Sequence, residues 1–100
     1  MAGYKVVILS PAEKQFSKLN KVSAKIITDW IAKHLEGIDN PRRFGKQLKG
    51  NLSQFWGYRI GDYRLVTKIQ DKKILILIFE VAHRKEVYKL VEHLLKGRKG

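Results

Sequence analysis

Residues 55–81 read F-W-G-Y-R-I-G-D-Y-R-L-V-T-K-I-Q-D-K-K-I-L-I-L-I-F-E-V, and two dipeptides inside this run decide the fold. Gly61-Asp62 and Asp71-Lys72 separate three segments, about 55–60, 63–70 and 73–81, that are rich in β-branched and aromatic residues. Two-residue links with Gly or Asp fit tight hairpins, so the three segments form an antiparallel meander. The third is apolar at almost every position. That suits a strand lying inside the sheet with helices over one side.

The N-terminal part supplies the helices. Residues 4–9, Y-K-V-V-I-L, read as a first strand. S-P-A-E at 10–13 then offers Ser10 as N-cap, Pro11 at the first helical position and Glu13 to close a capping box. Ala12, Phe16 and Leu19 carry that helix to about residue 20. A second helix presents Val22, Ile26, Trp30 together with Ile27, Ile31, Leu35 as one apolar face, and Gly37 ends it. Such a pair packs as an antiparallel hairpin on the sheet. Trp30 belongs to the core, and His34 and His93 to the surface. Residues 38–52 are punctuated by Pro41, Gly45 and Gly50 and read as loop. Beyond the sheet, Val87, Leu90, Val91, Leu94 and Leu95 predict a short C-terminal helix, with 96–100 a frayed basic tail. The fold class is α+β, with one domain over 1–95.

Composition bounds the function. The 100 residues hold 21 Lys and Arg against 9 Asp and Glu, a net charge of +12. A well-behaved small domain needs only about 2–8, so the excess argues for a polyanionic partner. No run approaches the roughly 20 apolar residues of a membrane span. The first residues lack a signal peptide's basic region and cleavage site. With no cysteine either, thiolate chemistry and disulfides are excluded and the cytoplasm is the expected location.

Phosphate-loop, H-E-x-x-H and G-x-S-x-G motifs are missing, and His34, His83 and His93 lack carboxylates at ligand spacing. No metal or cofactor is therefore expected. The remaining inventory of Arg, Lys, His and Tyr suits cleavage of RNA by attack of its 2′-hydroxyl on the neighbouring phosphate. That reaction needs a base, an acid and cations around the transition state. Across Gly61-Asp62, Arg59 and Arg64 fall on adjacent strands, with Arg64 and Val66 on one face and Tyr63 and Leu65 on the other. Antiparallel pairing brings His83 and Arg84 beside the start of the second meander strand. Tyr88 is within reach, so Arg64, His83, Arg84 and Tyr88 are expected to meet at one sheet end. Of Phe55, Trp56 and Tyr58, which could stack bases, two must face the core by alternation.

L-K-G (48–50), Y-R-I-G-D-Y-R-L-V (58–66), K-I-L-I-L-I-F-E-V (73–81) and H-R-K-E-V-Y (83–88) resemble the RelE/ParE superfamily of bacterial toxins, on the RelE side and over nearly the whole chain. The resemblance implies a RelE-like microbial RNase fold. It also implies a toxin that enters the ribosomal A site, cuts mRNA and is held inactive by an antitoxin, acidic by the charge argument. It assigns Arg64 to the scissile phosphate, Arg84 to the transition state or leaving group, and Tyr88 to orienting the nucleotide and assisting proton transfer. Arg59 stands where some members carry a lysine. Gly57 departs from the pattern, because those members have there a second lysine implicated as general base. His83, beside Arg84, is the expected substitute. Lys46 and Lys49 are expected to give electrostatic footing on ribosomal RNA. Two alternatives stay open: a gyrase-inhibiting toxin of the ParE branch, and a non-catalytic basic RNA-binding domain.

Overall fold

Leu65, Ile76 and Ile78 are fully buried and alternate with residues of the opposite face, as strands inside a covered sheet require. The computed structural model describes residues 3–83. In chain order they form β1 (Lys5–Ile8), α1 (Ser10–Lys18), α2 (Lys21–His34), a 3-10 turn (Pro41–Arg43), β2 (Lys46–Gln47), a second 3-10 turn (Gly50–Leu52), β3 (Trp56–Ile60), β4 (Tyr63–Gln70) and β5 (Leu75–His83). The strands make one sheet in the order β1-β5-β4-β3-β2. The meander is antiparallel as expected, whereas β1 runs parallel to β5, so β5 is enclosed between β1 and β4.

Two clusters hold the sheet. On the helix side, Ala12, Ile27, Ile31 and Leu35 pack against Tyr58, Ile60, Leu65, Ile76, Ile78 and Val81. On the other side Leu48, Leu52 and Phe55 fold back over Val66 and Ala82. Burying each large aliphatic side chain contributes about 1.5–3 kcal/mol before chain entropy is subtracted.

Several local expectations need correction. The Ser10 capping box does not form. Leu9 occupies the N-cap in extended geometry with no side-chain cap bond, although Pro11 sits in the first turn. The side-chain cap belongs to α2, where Asn20 accepts from the Ser23 N–H at 2.8 Å. The apolar stripes of α2 also separate. Ile27, Ile31 and Leu35 are buried, while Val22 and Ile26 are 70% and 55% exposed, because a helix on one sheet buries a single stripe. Gly37, at φ +79°, does stop the helix region, and its N–H donates to the Tyr4 carbonyl at 2.8 Å.

The link between β4 and β5 has four residues, 71–74, rather than two. Ile74 adopts φ +55°, unusual for a β-branched residue, and its carbonyl accepts from the Lys5 N–H at 3.0 Å. Asp71 in that turn accepts two bonds from Arg42, at 3.0 and 3.1 Å, and one from the Tyr4 hydroxyl at 2.7 Å. The Arg42 guanidinium holds the Asp71 carboxyl below its usual range, and Asp71 in turn raises Tyr4.

His34, expected at the surface, is half-buried. Its ring stacks on Trp30 with centroids 4.6 Å apart and meets Phe44 edge-on. The expected helix over 87–95 and the 96–100 tail lie outside the described residues. No helix among the described residues is long and apolar enough to cross a membrane.

Candidate active site

β2 is only two residues long, yet it sets the geometry of the open sheet face. Lys46 pairs with Gly57, Arg59 with Arg64, and Arg64 with Ala82. Residues directly opposite in antiparallel strands point to the same face. Tyr58, Ile60 and Leu65 enter the helix-side core, so Lys46, Arg59 and Arg64 all stand on the side without helices. There Gly45, Lys46, Leu48, Gly57, Arg59 and Arg64 line a hollow of about 250 Å³. Arg59 is exposed and Arg64 half-buried.

The floor exists because of two glycines. Gly45 has φ +75°, and a Cβ there would lie 2.2 Å from the Gly57 carbonyl oxygen, so no other residue brings the loop this close to β3. At Gly57 a Cβ would meet only the Leu48 side chain at 3.0 Å, with no other contact closer than 3.8 Å. The Leu48 side chain thus closes against the bare Gly57 backbone, and the two make the apolar base of the hollow. A cation-lined recess with an apolar floor fits a phosphate beside a sugar or base.

The expected partners of Arg64 are brought together only in part. Arg59 and Lys46 share its hollow, but Lys49, exposed in the loop before the second 3-10 turn, is not among the residues lining it. His83 reaches the same end of the sheet but pairs with Tyr63, not Arg64. Its ring meets Tyr63 edge-on at 6.0 Å, on the helix-side face. The cause is a register shift between Val66 and Thr67, where Val66 faces Glu80 and Thr67 faces Ile78. Strict alternation along β5 would put His83 on the open face with Phe79. The shift turns it over. Arg84 and Tyr88 lie outside the described residues.

The aromatic candidates are occupied by packing. Tyr58 is fully buried and donates its hydroxyl to the Pro41 carbonyl at 2.6 Å; burial pushes its pKa up. Phe55 is buried in the second cluster, and the half-buried Trp56 donates Nε1–H to the Phe44 carbonyl at 2.7 Å. What sequence reasoning missed is the floor, Gly45, Leu48 and Gly57. The signal available for it was the close spacing of Gly45 and L-K-G, read as loop punctuation and as part of the resemblance, with Gly57 noted only as the place of a missing lysine.

The family model described as the ParE toxin of type II toxin–antitoxin system, parDE, matches residues 6–88. The chain belongs to the RelE/ParE superfamily of type II toxins. Within the superfamily it is 30% identical over 87 residues to Toxin RelE of Mycobacterium tuberculosis, covering 87% of this chain and 88% of that protein. Among solved structures, the toxin–antitoxin complex RelBE2 of M. tuberculosis contains a chain with TM-score 0.75 and 28% identity, covering 83% of this chain and 93% of that one. The archaeal RelE–RelB complex of Pyrococcus horikoshii OT3 gives 0.65 and 26%, covering 82% and 96%. The two helices on a five-stranded mixed sheet are the RelE-like α+β fold.

Proposed function

We propose that this RelE/ParE toxin is a ribosome-dependent endoribonuclease that cuts mRNA in the A site and is silenced by an acidic antitoxin in the cytoplasm. The observation that carries the reading is the hollow on the helix-free face, where Lys46, Arg59 and Arg64 converge over a glycine floor. Arg64 and Arg59 hold the scissile phosphate there. The 2′-oxygen attacks phosphorus and the 5′-oxygen leaves, giving a 2′,3′-cyclic phosphate and a 5′-hydroxyl without a metal ion. Arg84 stabilises the transition state and Tyr88 orients the nucleotide, while Lys49 contacts ribosomal RNA. The antitoxin reading is supported by the relatives named as toxin–antitoxin complexes.

Primer extension on mRNA, with and without ribosomes, tests this. Ends should appear within the A-site codon only when ribosomes are present. A product carrying a 5′-phosphate, or cleavage abolished by chelation with ribosomes kept intact, would count against it. The match to the ParE family model favours one second reading, a gyrase inhibitor. Under that reading the protein blocks DNA supercoiling by gyrase and leaves mRNA intact on the ribosome.

A further inference from the structure

Proton transfer needs a group on the open face, and the sheet register supplies one. Lys46 stands directly opposite Gly57. Cross-strand neighbours have Cβ positions about 4.5–5.5 Å apart, and Gly57 carries no side chain to stand between Lys46 and the arginines of the hollow. Lys46 is exposed, it lines the same hollow as Arg59 and Arg64, and no described carboxylate is ion-paired with it. Every charged side chain lining that hollow among the described residues is a cation that carries N–H donors and no acceptor atom of its own. Guanidinium groups keep their protons throughout the working pH range, so of the three cations only the ammonium transfers one.

Resting on the endonuclease reading above, we propose that Lys46 Nζ is the proton donor to the leaving 5′-oxygen. The 2′-oxygen forms its bond to phosphorus and its proton passes to water. The P–O5′ bond breaks with its electron pair on oxygen, and that oxygen takes a proton from Lys46. The amine is then reprotonated from solvent. Electrons and atoms balance without a further reactant.

A leaving group that needs no proton separates this role from phosphate binding. Single-turnover cleavage on programmed ribosomes is measured with mRNA carrying either oxygen or sulfur at the bridging 5′ position of the scissile phosphate. Lys46→Gln should slow the oxygen substrate by about 10²-fold or more, and the sulfur substrate by no more than about 3-fold, because a thiolate departs unprotonated. Arg64→Ala should slow both. Equal slowing of both substrates by Lys46→Gln, or a wild-type rate on the oxygen substrate, overturns the donor role and leaves the endonuclease reading standing. A wild-type protein that cuts neither mRNA overturns both.

Discussion

His83 and Glu80 sit three residues apart on β5, on the helix-side face, and neither faces the hollow. His83 packs edge-on against Tyr63, so its replacement by glutamine should leave single-turnover cleavage within about 3-fold of wild type, as for substitutions away from reacting atoms. A loss of about 10²-fold, with the pH dependence between 6 and 8 flattened, would instead restore the histidine to proton transfer. Glu80 is 3% exposed and accepts a hydrogen bond from Gln15. Burial pushes its carboxyl above the ordinary value of 4.5, with the Gln15 bond opposing. Since the folded state holds that proton more tightly than the unfolded chain, Glu80 favours folding most below its unfolded pKa. The advantage is lost as pH rises through the folded value. Glu80→Gln keeps the partner and removes the charge. The melting temperature of the variant should therefore exceed wild type near neutral pH, and the gap should close toward pH about 4. A gap independent of pH would refute the argument.

Elements rather than residues explain which parts of the fold were readable. The meander was legible because its strands are long enough for alternation and its first turn has only two residues. β4 spans the expected residues, and β3 and β5 differ from expectation only at their ends. β2 was not legible, since two residues carry no period, and only the pairing of Lys46 and Gln47 with Gly57 and Trp56 defines it. The parallel place of β1 beside β5 depends on long-range packing. The face of His83 was hidden by the register shift at Val66/Thr67, which sequence alternation cannot see. Of the candidate site, the Arg59–Arg64 pair was legible because one tight turn fixes it, whereas the floor beneath the pair was not. That floor depends on how β2 enters the sheet, and Gly45→Ala tests it. The Cβ would collide with the Gly57 carbonyl at a positive φ, so the variant should lose about 1–3 kcal/mol from strain alone in urea unfolding. The loop should then withdraw and carry Lys46 with it, lowering cleavage even where the variant remains folded. A variant as stable and active as wild type would mean that β2 does not shape the site.

At the scale of the whole molecule the deciding quantity is the net charge of +12 on 100 residues. Such a charge acts before contact, and its reach is the Debye length, about 8 Å at physiological salt and about 3 Å at 1 M. An acidic antitoxin would be drawn in by this field, and steered association can exceed the ~10⁵–10⁶ M⁻¹s⁻¹ of neutral partners by orders of magnitude. Under the proposed endonuclease function ribosomal RNA would be drawn by the same field, so antitoxin and ribosome would compete for one positive surface. Stopped-flow association of toxin with its antitoxin should slow by about 10-fold or more between roughly 0.05 and 0.5 M salt. Dissociation should change much less, because steering acts on the approach and is expressed in the association rate. An association rate indifferent to salt would remove the electrostatic basis for an acidic partner. A dissociation rate that rises as steeply as association falls would place the charge pairs inside the formed complex rather than in its approach.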